Sequence, residues 1–403
     1  TGFGRTGTVD WQTSIKTAAS FTAANGEGYF VDTSSNAVTA NLPAGSVGAI
    51  VAFKDYAQNF DTNALTIAAN GSDKIDGQTF DMTLDVEGIA VTLVFGDATK
   101  GWQAVNSNEI TNTAKFIAAT GGTITTVCTN FKVHTFTGPG TFCVSCAGNS
   151  AGSSAVDYLV VAGAGGGGGS YPNYYSGGGG GAGGYRESPG AASGCYSVSP
   201  LGTSPAAALP VTATGYPVTI GGGGTGGPSS PRCRGCSGSN SVFAGTTTIT
   251  SAGGGYGGRS GGDPAQNGTQ GGGGGSGGGT GGYTASPQAP GGTGNNPPVS
   301  PPQGNPGGAG TVPSSGVGGA GGGATAAGAD GSPGHNATGG AGATSSINGT
   351  PTTRSVGGNG GAPAGSPAAG GANTGNGGAG GNSPGSQAGA GGSGVVIIRY
   401  KFQ

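Results

Sequence analysis

Two pairs of cysteines have the spacing Cys-x-x-Cys: Cys143 with Cys146, and Cys233 with Cys236. Four thiolates at this spacing can hold a zinc ion, and a single pair can cycle between dithiol and disulfide. The other interpretations are structural disulfides, typical of proteins that work outside cells, and inert free thiols. We expect disulfides or free thiols at these four positions, with no metal and no cofactor.

A second pattern with chemical potential is Gly-x-Gly-x-x-Gly, at Gly163, Gly165 and Gly168, with Glu187 about 20 residues further on. This is formally a dinucleotide fingerprint, but it works only where a helix follows and holds the pyrophosphate at its N-terminus. The residues that follow, 168–180, are too rich in glycine and proline for a helix. We therefore expect no nucleotide site.

Groups for acid–base catalysis are scarce. The two histidines are His134 and His335, and residues 188–398 contain two acids, Asp263 and Asp330. His134 lies within a strand-like run, which favours a structural role. Neither a hydrolase site nor a pair of glycosidase carboxylates can be assembled from these residues. The sequence predicts a protein that is not an enzyme, with a glycan-cleaving enzyme as the weaker alternative.

Glycine and proline limit the structures open to the chain. The 99 Gly and 24 Pro make up about 30% of the 403 residues, a level typical of low-complexity or disordered chains. The net charge is only −2, however, so self-repulsion does not oppose compaction. Seven Lys and seven Arg are scattered along the chain, without the basic face that nucleic acid requires. No apolar run reaches the roughly 20 residues that span a bilayer. We expect neither nucleic-acid binding nor membrane insertion.

The first 112 residues predict an N-terminal β module that serves attachment and oligomerisation. Runs such as GAIVAFKDYA and AVTLVFGDATKGW alternate apolar and polar residues between turn-forming Gly, Asn, Asp and Pro. Five or six such strands suggest a small β-sandwich or prism. A module of this size has a limited core, which makes oligomerisation an expected source of stability.

Strands also bracket the glycine-rich part of the chain. Residues 113–163 contain the first strands of a C-terminal β-core, residues 164–394 are glycine-rich with β islands at 211–254, and 395–403 form a closing strand. One apolar strand enters the glycine at Leu159–Ala162, and another leaves it at Val395–Tyr400. The simplest arrangement pairs these two strands, so the fold class is all-β with long glycine-rich insertions.

The insertions themselves fit neither a sheet, a collagen helix nor an α-helix. The remaining ordered choice is a bundle of polyglycine-II helices, whose outward N–H and C=O groups bond to neighbouring helices. We place Gly273, within GGGGGSGGG, at an inner position of such a bundle, and reversals at 284–290, 295–306 and 346–355. A flexible, solvated linker is the alternative.

Tyrosines and asparagines in the glycine-rich region are the candidate contact residues. Tyrosine supplies a large contact area at low entropic cost, so exposed tyrosines beside asparagine make good recognition surfaces. The alternative is that these tyrosines, Tyr185 and Tyr256 among them, stack on the bundle itself. The candidate receptor-binding residues are Tyr171, Asn173, Tyr174, Tyr175, Tyr283, Asn295 and Asn296.

The chain resembles the glycine-rich tail-fibre and fibre-tip adhesin proteins of tailed bacteriophages, notably those of marine bacteria. The opening GRTGTVDWQTSIKT, the bracket HTFTGPGTF with YLVVAGAGGGGG, and the ending VVIIRY carry the resemblance. It implies a virion fibre or fibre-tip adhesin, often trimeric, sometimes with polyglycine-II helices that carry variable receptor-binding loops. It carries over no particular receptor-binding residue.

We therefore expect a non-enzymatic adhesin in the tail fibre of a virion, outside cells. Its expected partners are two further copies in a homotrimer, other tail or fibre proteins, and a glycan or outer-membrane protein of the host surface. The alternative is a purely structural virion or extracellular filament subunit that has no receptor site.

Overall fold

The computed structural model describes residues 9–105, 115–149, 152–170, 175–194, 196–231, 233–261, 269–282, 289–311, 316–333, 335–361, 366–383 and 385–403. The chain forms two compact units, one of residues 1–116 with 148–153 and one of residues 117–147 with 154–403. No helix occurs in these described ranges, and strands form several sheets, so the all-β prediction is confirmed.

The first unit is a two-sheet module. Its strands are β1 Asp10–Trp11, β2 Ser20–Thr22, β3 Glu27–Val31, β4 Val38–Asn41, β5 Ile50–Asp55, β6 Leu65–Ala68, β7 Met82–Leu84, β8 Ala90–Asp97 and β9 Gly101–Ala104. One sheet has the order β1-β3-β5-β8-β9 and the other β2-β4-β6-β7. A single hydrophobic core joins the two, with Phe53, Leu93 and Trp102 from the first sheet and Leu65 and Ile67 from the second.

The chain of this module alternates between its two sheets. From β1 to β6 successive strands fall in alternate sheets, and each pairs in parallel with the strand two places earlier. Strands β7 and β8 then pair antiparallel with β6 and β5, and β9 pairs with β8. The alternating sequence pattern predicts strands and their buried faces, but it does not specify which strands pair.

The second unit begins with a β-core. Its strands are β10 Ile117–Thr120, β11 Thr123–Val127, β12 Phe131–Phe136, β13 Gly140–Ala147, β14 Ala155–Val161, β15 Tyr185–Glu187, β16 Leu209–Pro210, β17 Gly215–Thr219, β18 Ser241–Ala244, β19 Thr248–Ser251, β20 Ala343–Ser345, β21 Thr352–Arg354 and β22 Val395–Lys401. One sheet has the order β10-β13-β17-β18-β19, and another has β11-β12-β22-β14-β15, with β16 also paired to β14. Strands β20 and β21 form a separate hairpin.

Strands β14 and β22 lie at the centre of their sheet and are antiparallel neighbours, in the register Leu159 with Ile397 and Val161 with Val395. The predicted pairing of the entering and leaving strands is thus confirmed. Both strands are buried along nearly their whole length, because the sheet is covered on both faces. One face packs against the other sheet through Phe142, Tyr158 and Ile398. The opposite face packs on the glycine-rich region, where Ile347 meets Leu159 and Ile397.

Candidate functional site

The glycine-rich region contains segments without strand pairing that run alternately away from the β-core and back. We call these segments together the bundle. Their bounds are 162–170, 176–184, 220–228, 233–240, 252–260, 269–273, 276–282, 289–293, 303–311, 316–323, 327–331, 336–342, 355–361, 366–371, 376–382 and 386–394.

Backbone hydrogen bonds within the bundle follow a three-residue period. In segment 162–170, Gly163, Gly166 and Gly169 donate to segment 233–240. Ala164 and Gly167 donate to segment 386–394, and Gly165 and Gly168 to segment 176–184. Three residues per turn is the period of the polyproline-II helix. The hydrogen bonds therefore run outward from each segment in three directions, to three different neighbours.

The carbonyl groups of a segment point in three further directions, which lie between the three directions of its N–H groups. Segment 162–170 accepts hydrogen bonds from three further segments, 220–228, 252–260 and 376–382. It thus has six hydrogen-bonded neighbours, and segment 176–184 likewise bonds to six: 162–170, 252–260, 276–282, 316–323, 355–361 and 376–382. Segments 276–282 and 316–323 also bond to six segments each, so these four segments form the interior of the bundle.

Close packing explains why glycine is required at the interior positions. A Cβ added at Gly165 would lie 2.0 Å from the carbonyl oxygen of Gly255, and one at Gly180 would lie 2.1 Å from that of Gly165. A backbone atom cannot be displaced as a flexible side chain can, so a substitution there separates the segments. The predicted inner position Gly273 is wrong: Gly273 is exposed, and its added Cβ would meet the side chains of Thr293 and Asn296.

One end of the bundle collects the reversals that lie away from the β-core. Segments that follow one another in sequence run in opposite directions, so the chain turns back after residues 170, 228, 260, 282, 311, 331, 361 and 382. Hydrogen bonds join these turning points: Gly169 N–H donates to Cys233 O, Ser176 N–H to Gly316 O, and Gly282 N–H to Ser176 O. We call this surface the reversal end. The described residues that flank it are 169–170, 175–176, 233, 261, 282, 311, 316, 331, 361, 382–383 and 385–386.

Small hydroxyl side chains close the bundle at the reversal end. Ser170 is buried, and its hydroxyl donates to the carbonyl oxygen of Asn382 over 2.7 Å and accepts from the N–H of Ser386 over 2.8 Å. The Ser176 hydroxyl accepts from Gly318 N–H over 3.1 Å. These residues were not predicted, although serine directly after one glycine run and directly before the next marks the point where backbone partners end.

The predicted contact residues divide between the two ends of the bundle. Tyr175 is half-buried at the reversal end, directly before segment 176–184. Asn295 lies at the opposite end, beside the β-core, because its side-chain oxygen accepts from Gln303 N–H and Gln303 O accepts from Tyr185 N–H. The other tyrosine and asparagine candidates near these reversals lie outside the described residues: Tyr171, Asn173, Tyr174 and Tyr283.

Asn295 and Asn296 serve the turn that they occupy. The Asn295 side chain accepts from Val299 N–H over 3.1 Å and donates to Val299 O over 3.1 Å, and its φ is +51°. The N–H groups of Asn295 and Asn296 donate to Gly275 O and Gly274 O. The structure therefore does not bring these two residues together with Tyr175.

Two other tyrosines named in the sequence are packed onto the protein itself. Tyr185 is buried in β15, and its hydroxyl donates to Glu187 over 3.0 Å. Tyr256 lies against the backbone of Gly272 and stacks with Arg234 at 4.4 Å. Tyr256 therefore follows the alternative interpretation, in which the tyrosine stacks on the bundle, whereas Tyr185 is part of the β-core.

Glu187 is a buried carboxylate of the second unit. It accepts hydrogen bonds from Tyr185 Oη, from Ser199 N–H over 3.0 Å and from Ser345 Oγ over 2.5 Å. Burial raises the pKa of Glu187, against the opposing effect of these donors. Since the donors come from β15, from the loop after it and from the hairpin β20–β21, Glu187 fastens the hairpin to the core.

The four cysteines of the Cys-x-x-Cys pairs are free thiols. Cys143 and Cys146 lie on β13, where three residues span about 10 Å. Cys233 and Cys236 lie on segment 233–240, where three residues span about 9 Å. Both spans exceed the roughly 7 Å limit between the Cα atoms of a disulfide. A disulfide within either pair therefore does not fit this geometry.

The remaining chemical patterns have structural roles. His134 is buried, with Nδ1 2.7 Å from Gly121 O and Nε2 3.1 Å from Tyr400 Oη. Gly163, Gly165 and Gly168 continue straight from β14 into the bundle, with no helix to hold a phosphate. Across the described ranges, no three His, Cys, Asp or Glu side chains are grouped so that they could hold a metal ion. In the same ranges, no helix is long and apolar enough to cross a membrane.

Comparison with known families agrees with this architecture. Residues 136–401, about two thirds of the chain, match the family described as glycine-rich domain, and the chain belongs to that family. Residues 5–130 match the family described as bacteriophage T4 gp9/10-like protein, N-terminal. Together the two matches agree with the predicted resemblance to glycine-rich tail fibre proteins of bacteriophages. A search of curated proteins found no match.

Proposed function

We propose that this chain is a non-enzymatic adhesin of a phage tail fibre and that the reversal end of its bundle contacts the host surface. The observation that supports this most directly is the grouping of so many reversals at one end, opposite the β-core. Recognition residues are found preferentially on loops that a rigid scaffold positions. In the bundle that scaffold is held by backbone hydrogen bonds, so the residues at the reversals are free to serve recognition.

The N-terminal module supplies the other half of the proposal. Its match to a phage virion family supports a role in attachment to the particle, while the second unit is presented to the host. We further propose a homotrimer, in which a host glycan or outer-membrane protein meets three copies of the reversal end. A trimer would raise the apparent affinity of weak individual contacts through multivalency.

The test compares two variants of the purified protein for binding to cells of a sensitive host strain. In the first, Tyr171, Tyr174 and Tyr175 are replaced by Ser. In the second, Ile124→Ser changes an exposed side chain of β11 in the β-core. We expect the triple substitution to lower cell binding at least tenfold and Ile124→Ser to leave it unchanged. Equal binding by all three proteins would favour the alternative, a purely structural fibre subunit without a receptor site.

A further inference from the structure

A groove runs along the side of the bundle, above segment 376–382. This segment has five hydrogen-bonded neighbours, namely 162–170, 176–184, 355–361, 366–371 and 386–394. On its sixth side, between segments 355–361 and 366–371, no described segment is bonded to it. The opening forms a cavity of ≈ 210 Å³ whose lining includes Val356, Asn359, Ala368, Gly371, Gly377 and Ala379.

Backbone groups of the floor point to this open side. The N–H groups of Gly377, Gly378 and Ala379 donate to Val356, Gly165 and Ala368, which uses three directions. The carbonyl oxygens of Gly378 and Ala379 accept from Gly180 and Gly389, in two of the three directions between. The carbonyl oxygen of Gly377 points in the third of these directions, toward the open side, and no described residue donates to it.

The walls of the groove carry the complementary groups. Val356 N–H donates to Asn376 Oδ1 over 3.0 Å, at the base of the groove. Asn359 follows Val356 by one three-residue turn, so its N–H points to the same side, and it has no partner among the described residues. The N–H groups of Ala368 and Gly371 on the other wall are likewise without a described partner. The groove thus offers one acceptor and several donors, in the positions that a bundle neighbour would use.

At a second segment of the bundle, the place of the sixth neighbour is occupied by side chains of the protein itself. Segment 252–260 also has five neighbours: 162–170, 176–184, 233–240, 269–273 and 276–282. Above it lies Tyr256, whose ring would be 2.6 Å from a Cβ on Gly272. Arg234 stacks on that ring at 4.4 Å and donates to the Tyr256 hydroxyl over 2.8 Å. The protein covers this groove with its own side chains, whereas Ala379 and Asn376 leave the other groove open.

We propose that the open groove binds one extended, glycine- and alanine-rich segment of another polypeptide, in the polyproline-II conformation, as the sixth neighbour of segment 376–382. The lining offers neither an aromatic ring nor a charged side chain, the groups that bind sugars and charged ligands. It offers backbone groups one turn apart, about 9 Å at the polyproline-II rise. We expect only small side chains to fit in the groove, because a sixth neighbour would lie at the close spacing of the other segments, where glycine backbones are in contact.

The test uses the whole protein and a synthetic peptide, acetyl-(Gly-Ala-Gly)₃-amide, followed by the amide resonances of the protein. We expect saturable changes in amide chemical shift that are confined to Asn359, Ala368, Gly371, Gly377 and their neighbours. Ala379→Leu places a larger side chain in the groove and should weaken binding at least tenfold. The matched control is Thr225→Leu on segment 220–228, where the side chain is exposed, and it should bind as the parent does. Unchanged resonances elsewhere establish that both variants are folded.

Three outcomes would overturn the proposal. The first is an absence of shifts at millimolar peptide, and the second is equal binding by Ala379→Leu. The third is displacement of the peptide by a neutral oligosaccharide such as maltohexaose, which would make the groove a glycan site. Shifts of the same amides on concentrating the protein alone would also overturn the proposal, since the occupant would then be a second copy of this chain and not a different polypeptide.

Discussion

Val161 is paired with Val395 in the antiparallel ladder of β14 and β22, and the whole bundle is inserted between these two residues. The last strand of the chain therefore completes the sheet on which the bundle is built. Closure by a distant strand explains how a sequence so rich in glycine keeps a fixed beginning and end.

This closure predicts that a single charge in β22 disorders the bundle as well as the sheet. Ile397→Asp buries a carboxylate in a fully enclosed position and should cost more than about 4 kcal/mol of unfolding free energy. The matched control is Thr123→Asp, at an exposed position of β11 in the same sheet. Chemical denaturation measures both. A bundle whose amide protection survived Ile397→Asp would show that it folds without the sheet.

Glycine should be required at positions inside the bundle and dispensable outside it. Gly180→Ala brings a methyl group within about 2 Å of the Gly165 carbonyl, so we expect a loss of several kcal/mol or failure to fold. A Cβ at Gly222 meets nothing within 4 Å, and Gly222→Ala should change stability by no more than about 0.5 kcal/mol. Thermal unfolding of the two variants distinguishes them. Equal effects would contradict the packing described above.

Amide exchange should follow the hydrogen-bond pattern residue by residue. Every N–H from Gly163 to Gly169 is bonded, so all should be protected. In the outer segment 366–371, Gly370 N–H donates to Ala390 O, while Ala368 and Gly371 have no described backbone acceptor. We expect slow exchange at Gly370 and fast exchange at those two positions. Exchange at Gly163–Gly169 as fast as in an unstructured peptide would support the flexible-linker interpretation.

The buried His134 should make the second unit sensitive to acid. Burial lowers the pKa of His134, with a smaller effect of Lys132 in the same direction, while the hydrogen bond to Gly121 O acts against it. The unfolded chain takes up the proton near the ordinary pKa of 6.5, where the folded state does not, so stability is lost as the pH falls below 6.5. His134→Gln should remove this component. Denaturation of both proteins at pH 7.5 and pH 5 gives the comparison, and an equal decline in both would refute it.

The strands could be predicted from the sequence because their signal is local. The alternation of apolar residues and the run Val395–Tyr400 identify strands wherever they lie, and the pairing of β14 with β22 followed from their positions around the glycine. The parallel winding of the first module was not predictable, since strand patterns carry no information about partners. The hairpin β20–β21 was missed because its strands are only three residues long.

The positions within the bundle were harder to predict, for a physical reason. Every glycine has the same side chain, so the sequence does not distinguish Gly180, which is enclosed, from Gly273, which is exposed. The number of neighbours depends on where other segments lie, not on local composition. For the same reason, Tyr175 and Asn295 looked equivalent in sequence, yet they lie at opposite ends.

Cohesion through backbone hydrogen bonds also has a consequence for heat capacity. Unfolding raises the heat capacity in proportion to the apolar surface exposed, and exposure of polar surface lowers it. In the bundle the buried surface is mainly peptide groups of glycine, so the increment per residue should fall well below the usual value. A small increment flattens the dependence of stability on temperature. The bundle is therefore expected to remain nearly as stable in cold water as in warm water, where a conventional hydrophobic core of similar size would weaken on cooling.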